Sequence, residues 1–218
     1  MSRPALQITP LRTAIRTSSR ELLGRIAPRS PVEVISPEDV RTRRLTLRPL
    51  LESDREAYIR LLRDSLDHLT PWVPLHNPGE SDDAFFDRQL EHARQGDETG
   101  QAWRRVGVLS DGRLVGVFNL NAITRGLSWH ADAVWWIGVG HTRQGLASEG
   151  ISAMLRYALG APPEGLGLHA VHAGIDPENI PSRRLVEKLG FTEDPSQRSH
   201  LLVGEDWRAH DFFVKHAA

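Results

Sequence analysis

The chain contains 218 residues, of which 39% are hydrophobic, and it carries a formal net charge of −1 at pH 7 and no cysteine. The near-neutral charge argues against direct binding to nucleic acid, and the lack of cysteine excludes disulfides, zinc–thiolate sites and a cysteine acyl-enzyme. No apolar run is long enough to cross a bilayer, so we expect a cytoplasmic protein, and its scattered histidines predict no metal site.

The first 38 residues form a segment of distinct composition. Four arginines and no acidic residue occur in the first 20, a composition also found in organellar transit peptides. The alternative is a docking extension, in which a short capped helix is followed by a proline-punctuated linker. We predict an N-terminal extension and linker at residues 1–38 and one domain at residues 39–218.

The remaining residues alternate between strand and helix patterns. The pattern predicts strands at 43–48, 103–109, 113–121, 131–139 and 168–175 and a terminal strand pair. It predicts helices at about 53–66 and 82–95, an irregular segment at 69–80, a helix after the glycine-rich turn at residues 138–145, and a further helix that Asn179 caps and Gly190 ends. This order predicts an α+β fold with a mixed, mostly antiparallel sheet flanked by helices.

Residues 134–159 are the most informative stretch, since a β-type apolar run breaks into a glycine-rich turn and then an amphipathic helix. Gly138, Gly140 and Gly145 allow a tight turn and close approach of a ligand. The free N–H groups and positive dipole end of the helix favour a phosphate, and Arg143 adds a full charge. The pattern therefore predicts a site for a nucleotide-type cofactor.

Three common glycine motifs do not fit this turn. A P-loop requires Gly-Lys-Ser/Thr at the helix start, where this chain has Gly-Leu-Ala at 145–147. The dinucleotide pattern G-x-G-x-x-G fails because its third glycine would fall at Arg143, and Gly145 comes two residues late. The hydrolase elbow G-x-S-x-G fails because Leu146 replaces its first glycine. An unrelated nucleotide-binding fold remains the alternative.

Two segments carry a resemblance to a known family. Residues 142–147, Thr-Arg-Gln-Gly-Leu-Ala, resemble the Gln/Arg-x-x-Gly-x-Gly/Ala acyl-CoA loop of the GNAT acetyltransferases, with Thr142 at the position usually occupied by Gln or Arg. Residues 176–191 resemble the family's Asn-x-x-Ser segment, which ends in Lys-x-Gly-Phe. Further similarity over about residues 42–216 indicates the RimJ/RimL-type branch, which contains ribosomal-protein N-terminal acetyltransferases.

The resemblance implies the GNAT fold and acetyl-CoA as cosubstrate. In that fold two central strands splay apart, here the strands ending at Val139 and Ile175, and the pantetheine arm lies in the opening. The cofactor-binding residues that it implies are Ile137, Gly138, Val139, Arg143, Gln144, Gly145, Leu146, Ala147, Ser148, Asn179, Ser182 and Lys188.

The resemblance also implies direct acetyl transfer to an amine. The Val139 N–H is expected as oxyanion donor, and Ser182 either protonates the leaving thiolate or hydrogen-bonds within its helical turn. Asn179 is predicted as a helix cap and catalytic residue. Asp132 is predicted as the base, acting through an ordered water, or as a solvated strand-end acid, and His200 is its competitor.

The expected acceptor side contains Trp72 and Trp135 with the 69–79 loop, and His200 near the last hairpin. Acidic residues at 80–83 either attract a cationic amine or cap a helix. We predict an acetyl-CoA-dependent N-acetyltransferase that acts on a primary amine. The acceptor that we favour is the N-terminal α-amino group of a protein. The alternatives are a small amine of antibiotic or polyamine type, or a non-catalytic CoA-binding module. The resemblance favours a homodimer.

Overall fold

The computed structural model describes residues 39–203 and 206–218. Eight strands are present in this part: β1 (Val40–Arg41), β2 (Leu45–Arg48), β3 (Trp103–Leu109), β4 (Leu114–Thr124), β5 (His130–Ile137), β6 (Ala170–Ile175), β7 (Thr192–Val203) and β8 (Asp206–His216). Its α-helices are α1 (Arg55–Asp64), α2 (Leu66–Leu69), α3 (Asp82–Thr99), α4 (Leu146–Leu159) and α5 (Ile180–Lys188).

The strands form one sheet in the order β1-β2-β3-β4-β5-β6-β8-β7. All neighbouring strands are antiparallel except β5 and β6, which run parallel. The predicted α+β fold with a mixed, mostly antiparallel sheet is therefore confirmed. The predicted extension at residues 1–38 lies outside the described residues, so the domain division stays a prediction.

Each face of the sheet has its own hydrophobic core. On one face, α4 contributes buried apolar residues including Ile151 and Met154, which pack with Phe118 of β4. On the other face, buried residues of α1 and α3, including Tyr58 and Phe86, pack around Trp136 of β5. Both cores follow from helices with one apolar stripe that must be buried against a sheet.

Local signals explain where the helices begin and end. The Ser81 hydroxyl caps α3 by accepting the Ala84 N–H at 3.2 Å, and Gly100 follows this helix with φ of 66°. The predicted helix at 53–66 is shorter than expected, because it starts with a 3-10 turn, Glu52–Asp54, and α1 ends at Asp64. The predicted strand at 131–139 ends at Ile137, where the backbone enters a tight turn. Among the described residues, no helix is both long and apolar enough to span a membrane.

Candidate active site

The parallel strands β5 and β6 separate soon after they begin. Their register pairs only residues 130–132 with residues 170–172, while β5 continues to Ile137 and β6 to Ile175. The Gly138 N–H donates to the Val115 carbonyl of β4. Because N–H and C=O groups alternate in direction along a strand, those of Trp135 and Ile137 point away from β4. The predicted splay is confirmed, and it leaves these peptide groups facing the opening.

A cavity of about 550 Å³ passes through this opening. On the helix α5 side it is lined by Ile175, Asn179 and Ser182, and on the opposite side by the 72–75 loop and the polar residues of β3 and β4. One continuous space therefore connects the two faces of the sheet at the point where β5 and β6 part.

The turn after β5 has the conformation expected of an anion-binding loop. Arg143 and Gly145 adopt φ values of 59° and 76°, and α4 starts at Leu146. The Glu149 N–H donates to the Gly145 carbonyl at 3.1 Å, so the N–H groups of the three preceding residues remain directed out of the helix start. The loop thus fits a pyrophosphate by backbone geometry, which does not require a particular side chain at Thr142.

Arg44 braces this loop, which the sequence did not indicate. Its Nη1 donates to the Gln144 carbonyl at 2.9 Å, and its Nε lies 2.6 Å from Oε2 of Glu149. The Gln144 side chain closes the turn by donating to the Gly140 carbonyl at 3.0 Å. Arg143 is exposed, so its charge is available at the loop surface. A cluster of arginines at residues 41–48 is the local sequence feature that could have drawn attention to Arg44.

Asn179 and Ser182 lie together at the start of α5. The Asn179 Oδ1 accepts the Ser182 backbone N–H at 3.2 Å, so the cap predicted from the sequence is present. Both residues also line the cavity, whereas Lys188 lies exposed at the far end of α5. The Ser182 hydroxyl takes no part in the cap, and no residue in the described part of the chain hydrogen-bonds to it.

The Val139 N–H already has a partner. It donates to the buried Ser65 Oγ at 3.0 Å, and that hydroxyl donates to the Leu61 carbonyl at 2.7 Å. A role for Val139 as oxyanion donor requires exchange of this hydrogen bond, while the peptide groups of Trp135 and Ile137 face the opening. Ser65 could not be foreseen, because it reaches Val139 from the end of α1, 74 positions earlier in the chain.

The predicted acid–base residues differ in their surroundings. The Asp132 side chain is 53% exposed and lies 3.9 Å from Nδ1 of His172. Neither Asp132 nor His200 lines the cavity, and both are exposed. His210 of β8, which the sequence analysis did not select, lines the cavity and is 4% exposed. Its Nδ1 lies 2.9 Å from the Arg208 carbonyl, which accepts a hydrogen bond from it and leaves Nε2 with the lone pair in the neutral ring.

The predicted acceptor side contains Trp72 and Trp135, and both line the cavity. Arg208 connects Trp72 to the sheet: its guanidinium lies over the indole ring at 5.6 Å, and its Nη1 donates to the Pro71 carbonyl at 2.6 Å. The same side chain pairs with the buried Asp176 at 2.9 Å. This network fixes one wall of the cavity.

Carboxylates of the acidic run at 80–83 are paired with basic side chains. Glu80 pairs with Arg88 through two contacts of 2.7 Å, and this partner lowers the pKa of Glu80 to about 2. Asp82 pairs with Arg63 and His76, and the Arg63 hydrogen bond is the main cause of its lowered pKa. These carboxylates hold the 72–80 segment against α3 and are not available to attract an amine.

The splayed strands, the cavity where they part and the glycine turn before α4 are the arrangement that the resemblance to the acyl-CoA-dependent acetyltransferases predicts. A family model described as Acetyltransferase (GNAT) domain matches residues 44–192, more than half of the chain. The chain belongs to the GNAT acetyltransferase family. It transfers an acetyl group from acetyl-CoA to an amine.

Several relatives share this fold or sequence. The [Ribosomal protein uS5]-alanine N-acetyltransferase of Escherichia coli (strain K12) is 25% identical over 172 residues, 78% of this chain and 86% of that protein. The Bacillus subtilis (strain 168) protein named "Probable N-acetyltransferase YjcK" is 31% identical over 101 residues, but these cover 46% of this chain and 54% of that protein. Mycobacterium smegmatis RimJ in complex with CoA-disulfide is 26% identical, with a TM-score of 0.70 over 79% of this chain and 82% of that one.

Proposed function

We propose that this enzyme acetylates the N-terminal α-amino group of a protein. The observation that carries the proposal is the continuous cavity of about 550 Å³, which extends from the splayed strands to Trp72 and is large enough for the end of a peptide chain. Similarity to the uS5-alanine N-acetyltransferase and to RimJ supports this acceptor class over a polyamine.

The residues present fit acetyl-CoA. The N–H groups at the start of α4, with Arg143, would hold the pyrophosphate, and the peptide groups of Trp135 and Ile137 would pair with the pantetheine amides or the thioester carbonyl. The bound cosubstrate supplies an activated acetyl group. The remaining tasks fall to side chains of this chain: removing a proton from the amine and returning one to the leaving sulfur.

For the first task, the geometry favours His210. His210 is a buried residue of the cavity lining whose Nδ1 is taken by the Arg208 carbonyl, which leaves Nε2 as the ring nitrogen that can accept a proton, whereas Asp132 and His200 are exposed and do not line the cavity. For the second task, the Ser182 hydroxyl lies on the α5 side of the cavity, donates its proton to the thiolate and regains one from solvent water, so that it ends as the neutral hydroxyl. Asp132 and His200 remain competing predictions for the base.

Thermal unfolding with acetyl-CoA, free CoA or NAD tests the cosubstrate site first, because a ligand that binds the folded state raises Tm. Thiol release is then measured with three acceptors: a peptide with a free N-terminus, the same peptide blocked at its N-terminus but carrying a lysine, and spermidine. Turnover of the first alone supports the proposal. Turnover of spermidine alone overturns it in favour of a small amine. A CoA-dependent rise in Tm without any turnover indicates a binding module.

A His210→Gln variant separates the candidate bases. We expect kcat to fall by about 100-fold or more at neutral pH, the usual contribution of a general base, with an unchanged Tm response to CoA. The matched controls are His200→Gln and Asp132→Asn, which should retain near-normal kcat. A large loss in either control with normal turnover in His210→Gln would assign the base to the exposed residue.

The proposal includes a homodimer located in the cytoplasm. Its support is the resemblance to the RimJ/RimL-type branch. Sedimentation velocity of the full chain tests the dimer, and a single species at the mass of one chain contradicts it.

A further inference from the structure

Three residues on neighbouring strands, Arg104, Asn119 and Val134, lie side by side on the acceptor side of the cavity. The register pairs Arg104 of β3 with Asn119 of β4, and Asn119 with Val134 of β5. Directly paired residues project from the same face of a sheet, and all three line the cavity. Two strand spacings place the Arg104 Cα about 10 Å from the Val134 Cα, at the edge of the opening.

Arg104 differs from the neighbouring arginines in its partners. Its Nη2 donates to the Gln89 Oε1 at 3.2 Å, and no carboxylate among residues 39–203 and 206–218 forms an ion pair with it. Arg88 is paired with Glu80, and Arg208 with Asp176. The guanidinium of Arg104 therefore brings an uncompensated positive charge to the cavity wall.

The surroundings of Arg104 make this charge costly without a ligand. The residue is half-buried, and burial lowers its pKa, an effect to which the charge of Arg88 adds. An arginine stays protonated in proteins, so the cost is not relieved by losing the proton. Burial and the charges of Arg104 and Arg88 also lower the pKa of His92. An anion bound here would offset the local positive charge.

Hydrogen-bonding groups stand beside the guanidinium. Asn119 is 7% exposed, and no residue in the described part of the chain hydrogen-bonds to its side-chain amide. Asn121 lies further along the same strand and also lines the cavity. The N–H groups of the Asn119 amide can therefore donate to a ligand oxygen next to Arg104.

We propose that the acceptor carries an anionic group that pairs with Arg104 while its amine enters the opening between β5 and β6. This inference rests on the proposed N-acetyltransferase acceptor site and specifies its substrate class. The anion is a carboxylate, either from an acidic side chain close to a peptide N-terminus or from the acid group of a small amine.

The test compares acceptors that differ only in this charge. One pair is the peptides Ala-Asp-Ala-Ala and Ala-Asn-Ala-Ala with amidated C-termini; the other is γ-aminobutyrate and its amide. We expect the wild-type enzyme to show a kcat/KM about 10- to 100-fold higher for the acidic member of one pair, as one charge-assisted hydrogen bond predicts. Preference within the peptide pair identifies an acidic peptide, and preference within the second pair identifies a small amino acid.

The variant Arg104→Gln should bring the ratio of kcat/KM between the acidic and neutral acceptors to near one. The variant Arg104→Glu should have a higher kcat/KM for a peptide with lysine at the second position than for the peptide with aspartate there. The matched control, Arg60→Gln, removes an exposed arginine outside the cavity and should keep the wild-type ratio. Equal wild-type rates within both pairs overturn the inference while leaving the acetyltransferase proposal standing. If Arg104→Gln does not fold, the wild-type ratios alone decide the question. Absence of turnover with every amine overturns the proposed function and this inference with it.

Discussion

Removing the cap of α5 should weaken the fold and the active site together. The helix spans nine residues and buries only Val186, so its start depends strongly on the hydrogen bond from the Ser182 N–H to the Asn179 Oδ1. Asn179→Ala leaves that N–H without its side-chain acceptor. Loss of a cap lowers the free energy of unfolding by about 1 kcal/mol, with a range of about 0.5–2. For a domain of this size that corresponds to a Tm lower by about 2–4 °C.

The assay pairs thermal unfolding with steady-state kinetics at varied acetyl-CoA. We expect Asn179→Ala to lower Tm and to raise KM for acetyl-CoA, because the frayed turn no longer holds Ser182 at the cavity. Asn179→Asp is the matched control: its carboxylate still accepts the N–H and suits the helix N-terminus, so Tm should recover. A large fall in kcat in both variants, with Tm at the wild-type value, would refute the capping argument and indicate direct contact of Asn179 with substrate.

Three further substitutions test separate parts of the structure. A Cβ on Gly150 would lie 2.2 Å from the buried Phe118 ring, so Gly150→Ala should cost about 1–3 kcal/mol by overpacking, more than the helix gains from alanine; greater resistance to urea would contradict this. Ser65→Ala leaves the Val139 N–H without its hydroxyl partner and should lower the free energy of unfolding by about 1–3 kcal/mol in the same urea assay, and an unchanged midpoint would show that water replaces the hydroxyl. Ser182→Ala keeps the cap but removes the hydroxyl, so kcat should fall about 100-fold with unchanged Tm and CoA affinity; a normal kcat would leave that hydroxyl with a local structural role.

Much of the fold was predictable because its signals are local. The strand before Gly138, the turn to Gly145 and the apolar stripe of α4 are contiguous in the sequence, and they predicted the cofactor loop, whereas the splay of the strands was implied by the family resemblance. Asn179 and the proline and glycine around its helix likewise gave α5. The family, acetyl-CoA as cosubstrate and the amine acceptor followed from the resemblance of these same segments, and all three are confirmed.

Residues that meet only through tertiary packing were not predictable in this way. Ser65 reaches Val139 from a distant helix, and His210 lines the cavity only because β8 inserts between β6 and β7. Arg104 had a weak signal, a charged residue within a strand otherwise suited to burial. The role proposed for it depends on the lack of a carboxylate partner within residues 39–203 and 206–218, which the linear sequence cannot reveal.

The opening between β5 and β6 has a consequence for inhibition. A peptide-like inhibitor that spans it would bond to the main chain at Trp135 and Ile137, and exchange of their side chains would leave those bonds intact. Escape by point mutation would then require a change that alters the backbone path of β5 itself. Because the same peptide groups are proposed to hold the cosubstrate, we expect such a change to lower activity along with inhibitor binding.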